Sequence, residues 1–476
     1  MAAAHGSTRP GPGSTRPAPG VARLDPGVAR LDPVIDGQDV PSRDTARLTG
    51  VDGAPLAEVG LAPRLLAQAA VNRIRRSADG SVPDAGVFAA AGDLFATATL
   101  DGESPQEYRR RVALATGSAH GTIDRAVAGI RAALNQTELL NSSELPAPFA
   151  AGGYARHWVP RGRVLAAVVP NNHPEPNVTW VRALSLGYSV LVRPGSKDPF
   201  TPRRLTAALL RAGLAPHRIA FLPGGHETGE HLIDQADLGI VYGGPDAAAR
   251  WAGRRDVLVR GPGRSKALVD AAAAARLPDR LADWIADDGG VRCNNISAVL
   301  TSGPVDELAD ALAERLAALP VHPVTSPEAV LPATGRDDAA ALRDHLATLT
   351  AQVTDHSARL YPDGPLAEAG DGSTVLRPLV VATDDPFHPL VGTELPFPFV
   401  VVAPWRTEHG IAPLRDSLVV SLNGRHTDLA QQLLREPSVR KVTTGPVRPW
   451  ASRPELPHDG SLAGFLLEPK ALVVAT

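Results

Sequence analysis

The sequence is poor in cysteine, with one in 476 residues, and this scarcity limits what the protein can be. A single thiol cannot form an intramolecular disulfide, so we expect Cys293 to stay reduced, as in the cytoplasm. Aromatic residues make up only 4%, and no apolar run reaches the length of about 18 residues that spans a bilayer. The first residues also lack the apolar core of a signal peptide. These features predict a cytoplasmic protein with no membrane partner.

The sequence also has no large excess of positive or negative residues, since the formal net charge is only -3. Such a balance gives no indication of a nucleic-acid partner. Histidine and cysteine do not cluster at metal-ligand spacing, so no metal site is predicted. The length suggests two or three domains at about 100–200 residues each.

Proline and glycine dominate residues 1–45, where "GSTRP" and "PGVARLD" are each repeated. Little in this stretch can be buried, so we predict a disordered tail, with a docking segment as the alternative.

Farther along, the pattern is helical from about residue 55 to 140 and then alternates between strands and helices. "RVLAAVVPNN", "SVLVRPGS" and "GIVYGGP" are short apolar runs that end in turns, and helical patterns separate them. This alternation predicts a parallel sheet that binds ligands at the carboxyl ends of its strands. We predict a cofactor domain at 46–261 with N-terminal helices, a catalytic domain at 262–442, and a C-terminal segment at 443–476. The final strand-like run, "KALVVAT", is expected to pair with another chain or another domain.

Two polar residues stand out against this background. Cys293 lies in "DDGGVRCNNISAVL", after Gly289 and Gly290 and before two asparagines, which is unusual for a core position. Asn172 lies in "VVPNNHPEPN", in a loop stiffened by prolines directly after a strand. A thiolate nucleophile and an amide that donates to an oxyanion would explain both. The alternatives are a small buried hydrophobe and an ordinary turn asparagine.

Taken in order, these motifs resemble the aldehyde dehydrogenase family from about residue 160 to the C-terminus. The matching stretches are "VPNNHP", "LVRPGSKDPFTP", "GLAPHRIAFLPGG", "DLGIVYGGPDAAARW", "GGVRCNNISAVL" and "TELPFPFVVV". The resemblance implies a Rossmann-type cofactor domain, an α/β catalytic domain and a small oligomerisation element, in a homodimer or homotetramer. It also implies that Cys293 attacks a carbonyl carbon, that Asn172 stabilises the oxygen, and that Glu394 holds the nicotinamide ribose.

One departure from the family pattern concerns the base that activates water in members that oxidise aldehydes to acids. That base usually lies in a Glu-Leu-Gly-Gly-type motif about thirty residues before the cysteine, where this chain has "VLVRGPGRSKA". Without general-base help, water attacks a thioacyl-enzyme about 10²–10⁴-fold more slowly. The segment resembles that of acylating members, in which coenzyme A or a carrier-protein pantetheine takes or gives the acyl group.

A second departure concerns the cofactor. The usual Lys-Pro-Ser-Glu stretch is "RPGS" here, so Ser196 replaces a glutamate that would repel a 2′-phosphate, and Arg193 and Lys197 are close in sequence. The chain is therefore expected to use NADP or NAD. The glycine turns after the next two strands add Gly225, Gly243 and Gly244 as candidate cofactor-binding residues.

The sequence thus predicts NAD(P)-dependent reduction of an acyl thioester to an aldehyde, or the reverse acylating oxidation. Three alternatives stay open: a hydrolytic aldehyde dehydrogenase with a relocated base, an acyl-phosphate reductase resembling gamma-glutamyl phosphate reductase, and a catalytically silent binding or scaffold subunit.

Overall fold

The computed structural model describes residues 27–456 and 458–475. The strands, in chain order, are β1 (Ala29–Leu31), β2 (Val34–Ile35), β3 (Gln38–Asp39), β4 (Thr45–Thr49), β5 (Pro55–Gly60), β6 (Phe149–Ala151), β7 (Tyr154–Pro160), β8 (Val164–Val168), β9 (Ser189–Arg193), β10 (Ile219–Phe221), β11 (Leu238–Tyr242), β12 (Val257–Arg260), β13 (Ser265–Val269), β14 (Ile296–Thr301), β15 (Ala333–Thr334), β16 (Thr354–Asp355), β17 (Leu366–Glu368), β18 (Thr374–Leu376), β19 (Leu379–Ala382), β20 (Phe399–Pro404), β21 (Ser417–Asn423), β22 (Val439–Thr444) and β23 (Leu467–Val473).

The α-helices are α1 (Arg64–Ser77), α2 (Ala85–Thr97), α3 (Pro105–Thr116), α4 (His120–Asn135), α5 (Thr137–Ser143), α6 (Val178–Ser185), α7 (Phe200–Arg211), α8 (His226–Gln235), α9 (Pro245–Arg250), α10 (Ala271–Arg276), α11 (Pro278–Ala286), α12 (Val305–Ala317), α13 (Arg336–Thr350), α14 (Thr427–Arg435) and α15 (Leu462–Leu466). Among the described residues, none of these helices is both long and apolar enough to cross a membrane.

The first large sheet has the order β12-β11-β8-β9-β10-β2-β3, and its five strands from β12 to β10 are parallel. Helices α1 and α8 pack on one face, and α2, α4, α6 and α7 pack on the other. Because both faces are covered, the central strands are continuous apolar runs such as Val164–Ala167. The chain reverses direction across the sheet between β8 and β11, and such switch points are where α/β sheets bind ligands.

The N-terminal segment is more ordered than its composition suggests. Strand β1 pairs with β5, and β2 adds to the first sheet through Val34 and Ile35, which lie opposite β10. Leu31 and Val34 are buried by this pairing, and Arg30 forms an ion pair with Glu58 at 2.6 Å. The prediction of disorder is therefore wrong for residues 27–45, whereas residues 1–26 lie outside the described residues.

The second large sheet has the order β16-β19-β20-β14-β13-β21-β22, and all its strands except β16 run parallel. Helices α11 and α12 pack on one face, and Trp405, Leu414 and Leu433 bury the other. The first sheet ends at Arg260 and the second begins at Ser265, so only four residues link the two sheets at this point.

A third sheet, β23-β7-β6, lies apart from the two large ones. Its outer strand β23 pairs antiparallel with β7 along its whole length, from Leu467 opposite Pro160 to Val473 opposite Tyr154. The last strand of the chain therefore pairs with an earlier part of the same chain. Smaller sheets, β1-β5-β4 and β15-β18-β17, complete the architecture, which is the α/β fold predicted from the sequence.

Candidate active site

The loop after β8 and the loop before β14 meet between the two large sheets. The side-chain amide of Asn172 donates a 2.8 Å hydrogen bond to the carbonyl oxygen of Val291, two residues before Cys293. The two residues that sequence analysis selected as oxyanion donor and nucleophile therefore lie in adjoining loops.

The loop that carries Cys293 is shaped by a sharp turn after α11. Asp288, Gly289 and Gly290 all have positive φ angles, of 51°, 73° and 71°. A Cβ atom on Gly290 would lie 2.6 Å from the backbone nitrogen of Pro398, so only glycine fits there. Asn295 stabilises the C-terminal side of this loop through its side chain. Its amide group donates to the carbonyl oxygens of Trp284 and Asp287, and its side-chain oxygen accepts from the Arg292 N–H.

The backbone of Cys293 is held by the segment that links the two sheets. Gly263 packs against its carbonyl group, and the Ser265 hydroxyl donates to its carbonyl oxygen at 2.9 Å. The N–H of Gly263 in turn donates to Glu394 Oε2 at 2.9 Å. Gly263 thus contacts both Cys293 and Glu394, the residue predicted to hold the nicotinamide ribose.

The thiol of Cys293 is protonated at neutral pH. Burial raises its pKa to about 11, and the negative charge of Glu394 acts in the same direction, while Arg292 and Arg260 lower the pKa by less. Arg292 therefore does not activate the thiol by itself. Because the thiolate is the nucleophilic form, the site needs a group that removes the proton during attack.

Such a group lies next to the sulfur in a place that sequence analysis missed. The Nε2 atom of His458 is 3.6 Å from Cys293 Sγ. Desolvation, together with the positive charges of Arg260, Lys441 and Arg292, lowers the pKa of His458 to about 4, so its imidazole is neutral. No sequence motif indicated this residue, because 165 positions separate it from Cys293.

The segment in which the resemblance places the hydrolytic base contains Arg260, at the end of β12. Its side chain is 9% exposed and forms an ion pair with Asp459, the neighbour of His458. Next to it, Tyr242 hydrogen-bonds to Thr179, and burial raises the pKa of the Tyr242 hydroxyl. This segment therefore brings a cation close enough to Cys293 for its charge to act on the thiol.

A buried ionic network supports the Cys293 loop from behind. Asp288, whose side chain is 1% exposed, accepts from Arg125 Nε at 2.7 Å and from Arg292 at 2.9 Å. Arg292 also reaches Glu175 at 3.1 Å. His173 lies against this network with its pKa lowered to about 3 by burial, so it is neutral and supports the loop.

The residues predicted to bind the cofactor separate into two groups. Arg193 is buried, and its Nε donates to the Gly224 carbonyl oxygen at 3.0 Å, so it supports the glycine turn before α8. Ser196 and Lys197 are exposed, with Lys197 Nζ 3.4 Å from Asp338. Arg193 therefore supports this turn, while its binding of the cofactor stays a prediction, and Lys197 is the cation at the surface of the loop.

The glycine turns are compatible with a bound dinucleotide. Gly225 is the N-cap of α8 and provides no side-chain cap, which leaves the first N–H groups of that helix available to a phosphate. A Cβ atom at Gly244 would meet nothing within 4 Å, so the backbone after β11 is open, whereas Gly243 packs on Ala247. The residues present thus fit a nicotinamide dinucleotide, with Glu394 as the acceptor for ribose hydroxyls.

Comparison with known proteins agrees with this arrangement. The family model described as "Aldehyde dehydrogenase family" matches residues 109–424, which is more than half of the chain. The chain belongs to the aldehyde dehydrogenase family. The matched span includes Asn172, Cys293 and Glu394, and it ends before His458.

Similarity to individual members of the aldehyde dehydrogenase family is partial. The chain is 35% identical over 103 residues to an N-succinylglutamate 5-semialdehyde dehydrogenase of Caulobacter sp. (strain K31), covering 20% of this chain and 21% of that protein. It is 25% identical over 237 residues to a malonate-semialdehyde dehydrogenase of Geobacillus thermodenitrificans (strain NG80-2), covering 47% and 48%. The chain thus spans at most about half the length of these relatives.

The whole fold is similar to solved structures of the family. Indole-3-acetaldehyde dehydrogenase AldA of P. syringae, in complex with NAD+, superposes with a TM-score of 0.77 at 19% identity, covering 93% of this chain and 96% of that one. At this identity the likeness establishes the fold alone.

Proposed function

We propose that the protein is an NAD(P)-dependent oxidoreductase that interconverts an aldehyde and an acyl thioester through a thioacyl adduct on Cys293. The observation that carries this proposal is that the segment expected to hold the hydrolytic base has no carboxylate from Val257 to Ala267. Arg260, which ends β12, is nearest in that segment, and a guanidinium cannot take a proton from water.

The chain's own residues supply the remaining steps. Cys293 Sγ forms a bond to the carbonyl carbon, and the oxygen that gains charge is held by the Asn172 amide and the backbone N–H of Cys293. One such donor is typically worth about 3–4 kcal/mol of barrier. When bound, the nicotinamide takes a hydride from that carbon or gives one to it. An incoming thiol then takes the acyl group and releases Cys293.

Glu394 does not replace the missing base in this scheme. Its Oε2 accepts from the Gly263 N–H, and desolvation raises the pKa of its carboxyl group. Its role in the proposal is to accept hydrogen bonds from the cofactor ribose.

The substrate class follows from the same reasoning. Relatives of the chain are named for semialdehydes, so the aldehydes to test first carry a second functional group at the far end. Coenzyme A and a carrier-protein pantetheine present the same thiol, so both belong in the test. NADP and NAD are both proposed as cofactors, because Ser196 carries no charge to repel a 2′-phosphate.

A two-direction assay tests the proposal. Oxidation of NADPH and NADH is followed with acyl-CoA substrates of varied length, and reduction of NADP+ and NAD+ is followed with aldehydes in the presence and absence of coenzyme A. We expect turnover to require the thiol or the thioester, and to vanish in Cys293→Ala. Aldehyde oxidation at the same rate without any thiol would overturn the assignment.

A second candidate is hydrolytic oxidation of an aldehyde to an acid. The observation that favours it is the position of His458, which lies close enough to Cys293 to assist a water molecule in place of the missing carboxylate. The arm of the assay without thiol separates the two candidates, because only the hydrolytic enzyme forms free acid there.

We also propose that the third sheet joins subunits in a homodimer or homotetramer. Phe149, Tyr154, Leu472 and Val473 are exposed large hydrophobic residues on this sheet. Light scattering with Phe149→Ser tests this, since the variant should dissociate to a smaller species, and an unchanged mass would contradict the assignment.

A further inference from the structure

The structure places one imidazole against the sulfur of Cys293. His458 Nε2 lies 3.6 Å from Cys293 Sγ, within hydrogen-bonding range for sulfur. We propose that His458 is a catalytic residue, which takes the proton of the Cys293 thiol as the sulfur attacks the substrate carbonyl. This rests on the proposed function only for the role of Cys293 as nucleophile.

His458 belongs to a segment that is fixed in place over the site. We call residues 445–456 and 458–461 the crossing segment, because they lie between β22 and α15 and pass the site. The Ser143 hydroxyl donates to the Pro454 carbonyl oxygen at 2.7 Å, and Glu144 Oε2 accepts from the Ala463 N–H at 2.8 Å. Glu144 is itself paired with Arg182 at 2.8 Å.

Next to His458, the crossing segment also contacts β12. Asp459 pairs with Arg260 of β12, and both side chains are largely buried, at 15% and 9% exposure. His458 itself is exposed, and it lies between contacts of the crossing segment on either side of it.

The surroundings of His458 keep its imidazole in the neutral form, which is the form that can accept a proton. Desolvation, and after it the positive charges that face the ring, lower its pKa to about 4. The charged and titratable groups that face His458 are Arg260 on β12, Arg292 and Cys293 on the nucleophile loop, Lys441 on β22, and its neighbour Asp459.

The proton and bond balance of the step is simple. The Sγ–C bond forms, the carbonyl π electrons move to oxygen, and the thiol proton passes to Nε2 of the neutral imidazole, whose other proton resides on Nδ1. Once the thioacyl group has formed, the imidazolium releases the proton on Nε2 to solvent, so that Nε2 is free again. When an acceptor thiol later attacks the thioacyl carbon, its proton passes to this Nε2. The bond between Cys293 Sγ and the acyl carbon then breaks, and the sulfur recovers a proton from the imidazolium.

Alkylation of the single cysteine tests the proposal without any substrate or cofactor. Iodoacetamide modification of Cys293 is followed by mass spectrometry across pH in the wild type and in His458→Gln. Assisted attack needs the neutral imidazole and the thiol together, so the wild-type rate should be level between the pKa values of about 4 and about 11. In His458→Gln only the free thiolate reacts, so the rate should fall about tenfold for each pH unit below the thiol pKa.

Two further measurements separate catalysis from a structural effect. His458→Ala should regain its level rate when imidazole is added, because the added base occupies the vacated space. His345→Gln, an exposed histidine on α13, should behave as the wild type. A level profile in His458→Gln, or the absence of any level region in the wild type, would overturn the proposal.

The result is independent of the substrate assignment. Failure to find any acyl thioester that is turned over would contradict the proposed function but leave the alkylation profile unchanged. Conversely, a level alkylation profile in His458→Gln together with full acyl-CoA turnover by that variant would remove His458 from the mechanism and leave the proposed function standing.

Discussion

Gly263 and Cys293 approach so closely that a Cβ atom on Gly263 would lie 1.9 Å from the Cys293 carbonyl oxygen. The backbone of Gly263 has no positive φ angle, so this contact, rather than its backbone conformation, requires glycine. We predict that Gly263→Ala displaces the Cys293 loop, lowers turnover at least about tenfold and costs about 2–3 kcal/mol of unfolding free energy. Gly335→Ala is the control, because a Cβ atom there meets nothing within 4 Å. If Gly263→Ala and Gly335→Ala are equally stable and active, the close approach of Gly263 to Cys293 is contradicted.

Asn172 is exposed and contributes one side-chain hydrogen bond, to Val291. Removing it in Asn172→Ala should lower kcat about 10²–10³-fold through loss of an oxyanion donor, with little change in stability. Asn135→Ala, at the exposed end of α4, should leave both unchanged. The measurements are steady-state kinetics and thermal unfolding. A variant that loses stability in step with activity would indicate a structural asparagine instead.

Asp288 joins Arg125 and Arg292 in the network behind the nucleophile loop. Asp288→Asn keeps the shape and tolerates the positive φ angle, but it leaves Arg292 without this buried partner. We predict a loss of about 3 kcal/mol in chemical denaturation. Asp287→Asn changes the adjacent carboxyl group, which forms no ion pair within the described residues, and it should cost much less. Similar losses in the two variants would argue against a specific role for the network.

Asp198 at the start of α7 makes the stability depend on pH. Burial raises its pKa from 3.8 to about 6, although the Thr201 N–H bonds to its Oδ1 at 2.9 Å. Since the folded pKa lies above the ordinary value, this contribution to stability is complete below about pH 4 and is lost as pH rises through about 6. The loss amounts to roughly 3 kcal/mol, at about 1.4 kcal/mol for each pKa unit.

The variant Asp198→Asn removes that titration. The difference in unfolding free energy between Asp198→Asn and the wild type should increase by roughly 2–3 kcal/mol, in favour of the variant, from about pH 4 to about pH 8. Denaturation curves at both pH values measure the difference, and Asp363→Asn on an exposed turn is the control. If the unfolding free energies of the wild type and Asp198→Asn change by the same amount with pH, the raised pKa of Asp198 is refuted.

Ser196 offers a test of cofactor choice. A carboxylate at this position would repel a 2′-phosphate, so Ser196→Glu should weaken NADP+ binding about tenfold and leave NAD+ binding nearly unchanged. Calorimetric titration with each cofactor measures this, and Ser196→Ala controls for loss of the hydroxyl. If both cofactors bind equally to Ser196→Glu and the wild type, the residue does not face the adenosine ribose.

The sequence predicted the parts of the fold that depend on local pattern. The apolar runs that became β8, β9 and β11 end at the loops bearing Asn172, Ser196 and Gly243, and their alternation with helices predicted the parallel sheet. The pairing of Asn172 with the Cys293 loop was predicted because both motifs have a family counterpart.

The elements that were missed depend on contacts far apart in the chain. Strands β1 and β2 have two or three residues and gain their stability from β5 and β10, so the proline-rich composition around them concealed the pairing. The burial of Arg193 depends on the carbonyl oxygen of Gly224, and the approach of His458 depends on anchors at Ser143 and Glu144. No local periodicity encodes either contact.

The pairing of β23 with β7 also sets an order of events during synthesis. Strand β7 leaves the ribosome early, whereas β23, which covers its edge, emerges much later. Until then, the nascent chain carries an uncovered edge next to Phe149 and Tyr154, which favours pairing with other nascent chains. Slow translation of the segment between β7 and β23 should therefore increase the demand for chaperones.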